Sequence, residues 1–179
     1  MKILKKHRWD TIGFIKRTKK LNRENLENLY PSESWAIYRL IADSNSTLDL
    51  GCGNGAMSQI VKKINKKCKY FGVDHQKELI NLANRKYANS KFFAGDLNKF
   101  LSEHKKHYDT VMLWSVIKSF KNWRKIISSS LKLSKKYLVF DVRVVKKKVE
   151  IFNVKNLNAT YSNVKGSQLY VGYNVLKNF

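Results

Sequence analysis

Residues 47–56, TLDLGCGNGA, constrain the fold more than any other stretch of the chain, because an apolar run ends in three closely spaced glycines and opens directly into a helical pattern. Glycine at positions 51, 53 and 55 permits backbone conformations, and a close approach of ligand, that a Cβ would block. The helix after the turn would direct free N–H groups toward an anionic group. Strand, glycine turn and helix in this order open a βαβ unit. Gly51, Gly53 and Ala56 also satisfy the GxGxx(G/A) fingerprint of dinucleotide sites, so at this point a nicotinamide or flavin site stays open.

The same alternation continues along the chain. Short apolar runs predict strands over 47–50, 69–73, Lys91–Ala94, 110–114 and 137–145. Between them run helical stripes: Met57, Ile60, Val61 and Ile64; then Leu79, Leu82, Ala83 and Tyr87; then Phe120, Trp123, Ile127 and Leu131. Strands alternating with such helices predict an α/β fold with a parallel sheet. Each stripe is read as packing against the sheet rather than as a ligand surface. Ahead of the first strand, Pro31 and Ser32 open a helix carrying Trp35, Ile37, Tyr38, Leu40 and Ile41, expected to cover the sheet edge or the mouth of the site. After Lys146-Lys147-Lys148 the pattern reads as extended over 149–154, 160–163 and 169–175, with a turn at 165–166, which predicts a closing antiparallel hairpin.

A length of 179 residues with 43% hydrophobic content suits one well-buried core. The first 23 residues carry nine Lys or Arg against one acid, Asp10. Residues 1–29 are therefore read as a basic N-terminal arm and 30–179 as the folded domain. No run approaches the ~18 apolar residues of a membrane span, and the N-terminus lacks the apolar stretch of a secretory signal. A cytoplasmic protein without integral membrane association is expected. Cys52 and Cys68 are too few for a disulfide framework and lack zinc-site spacing, so no metal is expected. A formal charge of +23, from 36 basic and 13 acidic residues, draws a chain to polyanions. A Lys-, Asn- and Ile-rich composition can also reflect coding bias, and both readings stay open.

The second and third strands separate the cofactor classes. The second, YFGVD, ends in Asp74, where a carboxylate can accept from both hydroxyls of a ribose. The third, FFAGD, ends in Asp96, an acid that a nicotinamide site does not need there. With Asp49 two residues before Gly51, Gly53 and Gly55, with Asp74, and with the Gly95-Asp96 pair, residues 30 to 145 resemble the class I S-adenosylmethionine (SAM)-dependent methyltransferase family. The stretch YDTVMLWSVIKSF is similar to that family's fourth landmark.

The resemblance implies a Rossmann-like three-layer α/β sandwich with a mostly parallel seven-stranded sheet and a C-terminal antiparallel hairpin. It implies S-adenosyl-L-methionine as cofactor, its methionine end against the loop from Gly51 through Cys52 and Gly53 to Gly55. Asp49 would hold the loop backbone or the cofactor's amino group. Asp74 would bind the ribose, Asp96 the adenine amino group, and His75 and Leu97 would flank the ring. Trp114 and Ser115 would face the methyl group and the acceptor.

No histidine stands out as a general base: His104 and His107 are read as solvated surface residues and His75 as an adenine neighbour. Family members that methylate exocyclic amines of bases carry Asp or Asn followed by Pro-Pro and an aromatic, where this chain has Leu113-Trp114-Ser115-Val116. Enzymes acting at cytosine C5 need a cysteine near the acceptor, and neither cysteine is so placed. The leading expectation is methyl transfer to an oxygen or nitrogen of a small-molecule or saccharide acceptor. RNA methylation with the basic surface gripping phosphates, and a non-catalytic SAM-fold binding module, are the alternatives. Nothing in the sequence indicates the oligomeric state.

Overall fold

The computed structural model describes residues 23–145, 150–152 and 169–172. In chain order, helix α1 (Pro31–Ala42) leads into β1 (Ser46–Leu50), α2 (Met57–Ile64), β2 (Lys69–Asp74), α3 (Lys77–Lys86), β3 (Lys91–Ala94), α4 (Leu97–Glu103), β4 (Tyr108–Leu113), α5 (Trp123–Leu133) and β5 (Ser134–Phe140). The five strands form one sheet in the order β3-β2-β1-β4-β5. All four pairings are parallel, with Leu48 opposite Phe71 on one side and Val111 on the other. Parallel neighbours cannot be joined by hairpins, so a helix crosses over between each consecutive pair.

Burial follows from that arrangement. All six residues of β4 are buried, as are Thr47 to Leu50 of β1, because both sheet faces are covered. Leu48 and Leu50 point to one face with Phe71, Val73, Val111 and Leu113, and pack against Leu97, Trp123, Ile126 and Ile127 of α4 and α5. On the opposite face Tyr70 and Met112 meet Ile37 and Ile41 of α1, Met57, Ile60 and Val61 of α2, and Ile80 and Ala83 of α3. The result is the three-layer α/β sandwich. Trp123, the first residue of α5, is fully buried, where truncation to alanine costs about 3–5 kcal/mol.

Several expectations are corrected in detail. On α1 the buried residues are Ile37 and Ile41, while Trp35 and Tyr38 are 66% and 57% exposed. Trp35 stands about 200° around the helix from Ile37, so both cannot face the sheet. On α5 Ser130 occupies the middle of the inward stripe and Leu131 is exposed, with Ile126 and Leu133 completing the contact. In α3 Ile80 is buried and Leu82 only half-buried.

The run expected as one strand over 137–145 is broken at Asp141, and Arg143–Val145 forms a separate strand, β6. With β7 (Glu150–Phe152) and β8 (Leu169–Gly172) it makes a second, three-stranded sheet in the order β6-β8-β7. There β6 runs parallel and β7 antiparallel to β8. Among the described residues the parallel sheet has five strands, and β7 and β8 pair antiparallel in the second sheet. The expected 160–163 stretch, the 165–166 turn and most of the N-terminal arm lie outside the described residues.

The chain moves outward from β1 through β2 and β3 in one direction and through β4 and β5 in the other. This reversal opens a crevice at the carboxyl ends of β1 and β4, the place where open α/β sheets bind ligands.

Candidate functional site

At the carboxyl edge the turn after β1 is pinned to β2: the amides of Gly51 and Cys52 both donate to Val73 O, at 2.7 and 3.0 Å. Gly51, Gly53 and Gly55 have φ of +83°, +58° and +76°, the left-handed region that glycine adopts without penalty. A Cβ on Gly51 would also overlap Val116 Cγ2, and one on Gly55 would lie 2.6 Å from Phe92 Cε1. These two glycines therefore seat the loop on its neighbours. The Cys52 side chain turns inward beneath the loop, and burial pushes its thiol well above the usual range, which leaves it inert.

Asp74, at the end of β2, sits beside the loop. Its Oδ2 accepts from the Gly53 amide at 2.9 Å, and Oδ1 accepts from the Gln76 amide at 2.9 Å with His75 Nδ1 at 3.3 Å. A carboxylate offers about four lone-pair positions, so this one can organise the loop and still accept further hydrogens. His75 is held in turn by Gln76, whose Nε2 lies 2.9 Å from His75 Nε2.

Asp49 is buried on the α1–α3 face and accepts a hydrogen bond from the Tyr70 hydroxyl. Burial raises its pKa to about 7 against the opposing Tyr70 hydrogen bond; the nearby Asp74 charge raises it further, and Arg23 pulls it down. The buried Asp49 and Tyr70 thus share one proton-holding contact directly beneath the glycine loop. Arg23 also donates to Glu33 at the start of α1, which brings that helix terminus toward the same edge.

Asp96 follows β3 and caps α4, accepting from the Lys99 amide at 3.0 Å. It is exposed, and the Gly95 amide beside it donates to Asp74 O at 2.9 Å, which ties the ends of β2 and β3 together. Leu97 is buried in the core on the α4–α5 face. Of the sequence-predicted residues, Asp49, Gly51, Cys52, Gly53, Gly55, Asp74 and His75 thus converge directly, Asp96 joins them through Gly95, and Leu97 lies beneath.

Trp114 leaves β4 at its carboxyl end and packs partly into the α1–α3 face, its buried Nε1 without a hydrogen-bond partner among the described residues. Ser115 is the one non-glycine residue with positive φ among those described, at +59°, and its amide donates to Asp141. Asp141 lies between β5 and β6, so β4 and β5 are joined at this edge by that contact. Sequence reading missed Asp141, because it sits inside an apolar run that looks like uninterrupted strand. Tyr70 was missed for a similar reason: an aromatic in a buried strand reads as packing. His104, expected to be solvated, is half-buried: its ring stacks with those of Phe100 and Tyr108, centroids 4.4 and 5.7 Å away, at the opposite edge of the sheet. Burial, and then the Lys106 charge, lower its pKa. Among the described residues no cluster of His, Cys, Asp and Glu forms a metal centre, and no helix is long and apolar enough to cross a membrane.

Comparison with known proteins agrees with this geometry. A family model described as Methyltransferase domain matches residues 41–172. A sequence comparison with curated proteins gave no match. Among solved structures, the plantazolicin methyltransferase BpumL in complex with a monoazolic desmethylPZN analog and SAH is 27% identical, with a TM-score of 0.50 over 56% of this chain and 40% of that one. The O-methyltransferase of a trans-AT PKS multienzyme of Brevibacillus brevis, in complex with S-adenosyl-L-homocysteine, is 16% identical with a TM-score of 0.54, covering 78% of this chain and 48% of that one. CalS10, a SAM-bound amino pentose methyltransferase from Micromonospora echinaspora, is 19% identical with a TM-score of 0.50, covering 58% and 46%. The chain spans about half the length, or less, of these structures. With a glycine loop and three acids at the carboxyl edge of a β3-β2-β1-β4-β5 sheet, and a family match over most of its length, the chain belongs to the class I SAM-dependent methyltransferase family.

Proposed function

We propose that the protein transfers the methyl group of S-adenosylmethionine to an oxygen or nitrogen of a small-molecule or saccharide acceptor. The observation that carries this reading is the meeting of Asp49, Asp74 and the loop at 51–55 at one sheet edge, with Asp96 beside them. In this reading the loop lies against the methionine portion and Asp49 receives its amino group. Asp74 accepts from the ribose and Asp96 from the adenine amino group, His75 flanks the ring and Leu97 supports it from below. Trp114 and Ser115 face the acceptor.

The residues present fit such a ligand. Tyr70 engages only Oδ2 of Asp49, Trp114 Nε1 is an unpaired donor among the described residues, and nothing lies within 4 Å of where a Cβ on Gly95 would sit. In a protein of net charge +23, an edge with four carboxylates also favours a cationic cofactor. The BpumL structure, at 27% identity, supports the same reading through its SAH and desmethylPZN analog.

The sulfonium, when bound, supplies an already activated methyl group. The chain's part is then to align the acceptor, exclude water and receive a proton. Asp141, fixed against the Ser115 amide beside Trp114, is the carboxylate that would hold an acceptor hydroxyl or amine and take up that proton. Residues 30–179 act as the catalytic domain and 1–29 as a basic arm, whose end is moored where Glu24 accepts from Lys86 and Tyr87. An acceptor screen over saccharides, small metabolites and RNA, read as conversion of SAM to SAH, tests the reading. Turnover of RNA alone would replace it with the RNA-modifying alternative favoured by the net charge.

A further inference from the structure

Four acids of this domain and a group of its basic residues lie at opposite edges of the sheet. Asp49, Asp74, Asp96 and Asp141 lie at or just beyond the carboxyl ends of β1, β2, β3 and β5. Lys66 and Lys67 lie in the turn entering β2, Lys69 begins β2, Lys91 begins β3, and Arg85 and Lys86 end α3. This polarity is not a requirement of methyl transfer, and the proposed function leaves the excess positive charge unexplained.

Toward that amino edge, between the ends of α2 and α3, lies a cleft of about 470 Å³ whose lining includes Gln59, Lys62, Lys63, Lys66, Lys86 and Asn89. Four lysine side chains line it. Lys62 donates to Lys66 O at 3.0 Å and Lys63 to Glu24 O at 3.2 Å, contacts with neutral carbonyls that orient the side chains without neutralising them. Glu24, paired with Lys86, is the only carboxylate that pairs with any of the four among the described residues. The cleft therefore keeps a local excess of positive charge, with the side-chain amides of Gln59 and Asn89 as further donors.

We propose that this cleft is a docking site for the phosphate backbone of a single nucleic-acid strand, separate from the methyl-transfer edge. Lysines grip phosphates as point charges without demanding the planar fork geometry of arginine, which suits contact independent of base sequence. The recess favours a strand over a bilayer, because a flat headgroup surface cannot enter a concave site between two helices. Lys67, Lys69, Arg85 and Lys91 stand at the same amino-edge ends of β2, α3 and β3, outside the cleft. The site does not depend on the identity of the methyl acceptor, since it lies at the far edge from the glycine loop.

The test is fluorescence anisotropy of the full chain with a fluorescein-labelled twelve-nucleotide oligouridylate across a salt series. The cleft variant Lys62→Gln/Lys66→Gln is compared with Lys125→Gln/Lys132→Gln, which removes the same charge from α5. SAH titration of each variant checks that the fold and the cofactor site are intact. The cleft variant is expected to lose at least fivefold in affinity at 0.1 M salt, and its log–log salt slope to fall by roughly 1.4, at about 0.7 for each phosphate no longer neutralised. The α5 variant should change less than twofold. Equal losses in the two variants would make the binding diffuse electrostatics and overturn the site. So would an unaffected cleft variant, absence of binding by the parent chain, or tighter binding to phosphatidylserine vesicles than to the strand. SAH binding is unaffected in every one of these outcomes, so failure here is distinct from failure of the proposed function.

Discussion

The Gly53 amide donates to Asp74 Oδ2 at 2.9 Å, which makes the acid at the end of β2 a structural part of the loop after β1. One carboxylate thereby couples the positive-φ turn to the position proposed for the ribose. Asp74→Ala is expected to weaken SAH binding by at least about 1.5 kcal/mol, the scale of a hydrogen bond to a charged group. Asp74→Asn, which can still accept from Gly53, should lose less. Calorimetry checks both, and an alanine variant with parental affinity would mean that Asp74 serves the loop alone.

Asp49 carries a prediction about pH. Its folded-state pKa of about 7 lies above the unfolded value of 3.8, so the native state holds the proton more tightly. Its contribution to stability is fully present below about pH 4 and is lost as pH rises to 7. Asp49→Asn keeps an acceptor for Tyr70 and cannot ionise. Relative to the parent it should gain stability between pH 4 and 7 and then level off, by a few kcal/mol at ~1.4 kcal/mol per pH unit. Denaturant melts at pH 4 and pH 8 measure this, and an equal effect at both would place the ionisation elsewhere. The variant should also bind SAH more weakly if Asp49 receives the cofactor's amino group.

Gly51 and Val116 meet across the β1 and β4 ends. Gly51→Ala meets both a left-handed backbone, worth roughly 1–2 kcal/mol, and the Val116 methyl. It should destabilise by about 2–4 kcal/mol, of which Val116→Ala in the same chain restores the steric part. Additive losses in the double variant would show that the two side chains do not meet.

Asp141 separates acceptor handling from cofactor binding. Asp141→Ala removes the partner of the Ser115 amide and the proposed proton acceptor, so turnover should fall about 100-fold, within the range for general-base catalysis, with SAH affinity within twofold. A parallel loss of SAH affinity would instead make Asp141 a support of the cofactor loop.

The parallel sheet and its helices were legible because each strand is a short apolar run and each helix an apolar stripe. The positions of Asp49, Asp74 and Asp96 were legible because each stands at or near the carboxyl end of a predicted strand. Trp35 and Tyr38 misled: an aromatic at helical spacing reads as core, yet Ile37 and Ile41 fill the sheet-facing side. His104 differed in the opposite sense, since a lysine-rich loop does not disclose that its ring stacks with Phe100 and Tyr108. Asp141 was hidden because breaking a strand after seven residues depends on where its parallel neighbour ends, and local composition does not record that. The amino-edge cleft was hidden too, because its lysines come from α2, the turn after it and α3, which only the fold brings together.

Calorimetric titration of the purified chain with S-adenosylhomocysteine, with NADH as control, tests the central claim most directly. Micromolar binding of S-adenosylhomocysteine and none of NADH is the predicted result; binding of NADH alone, or of neither, would contradict it.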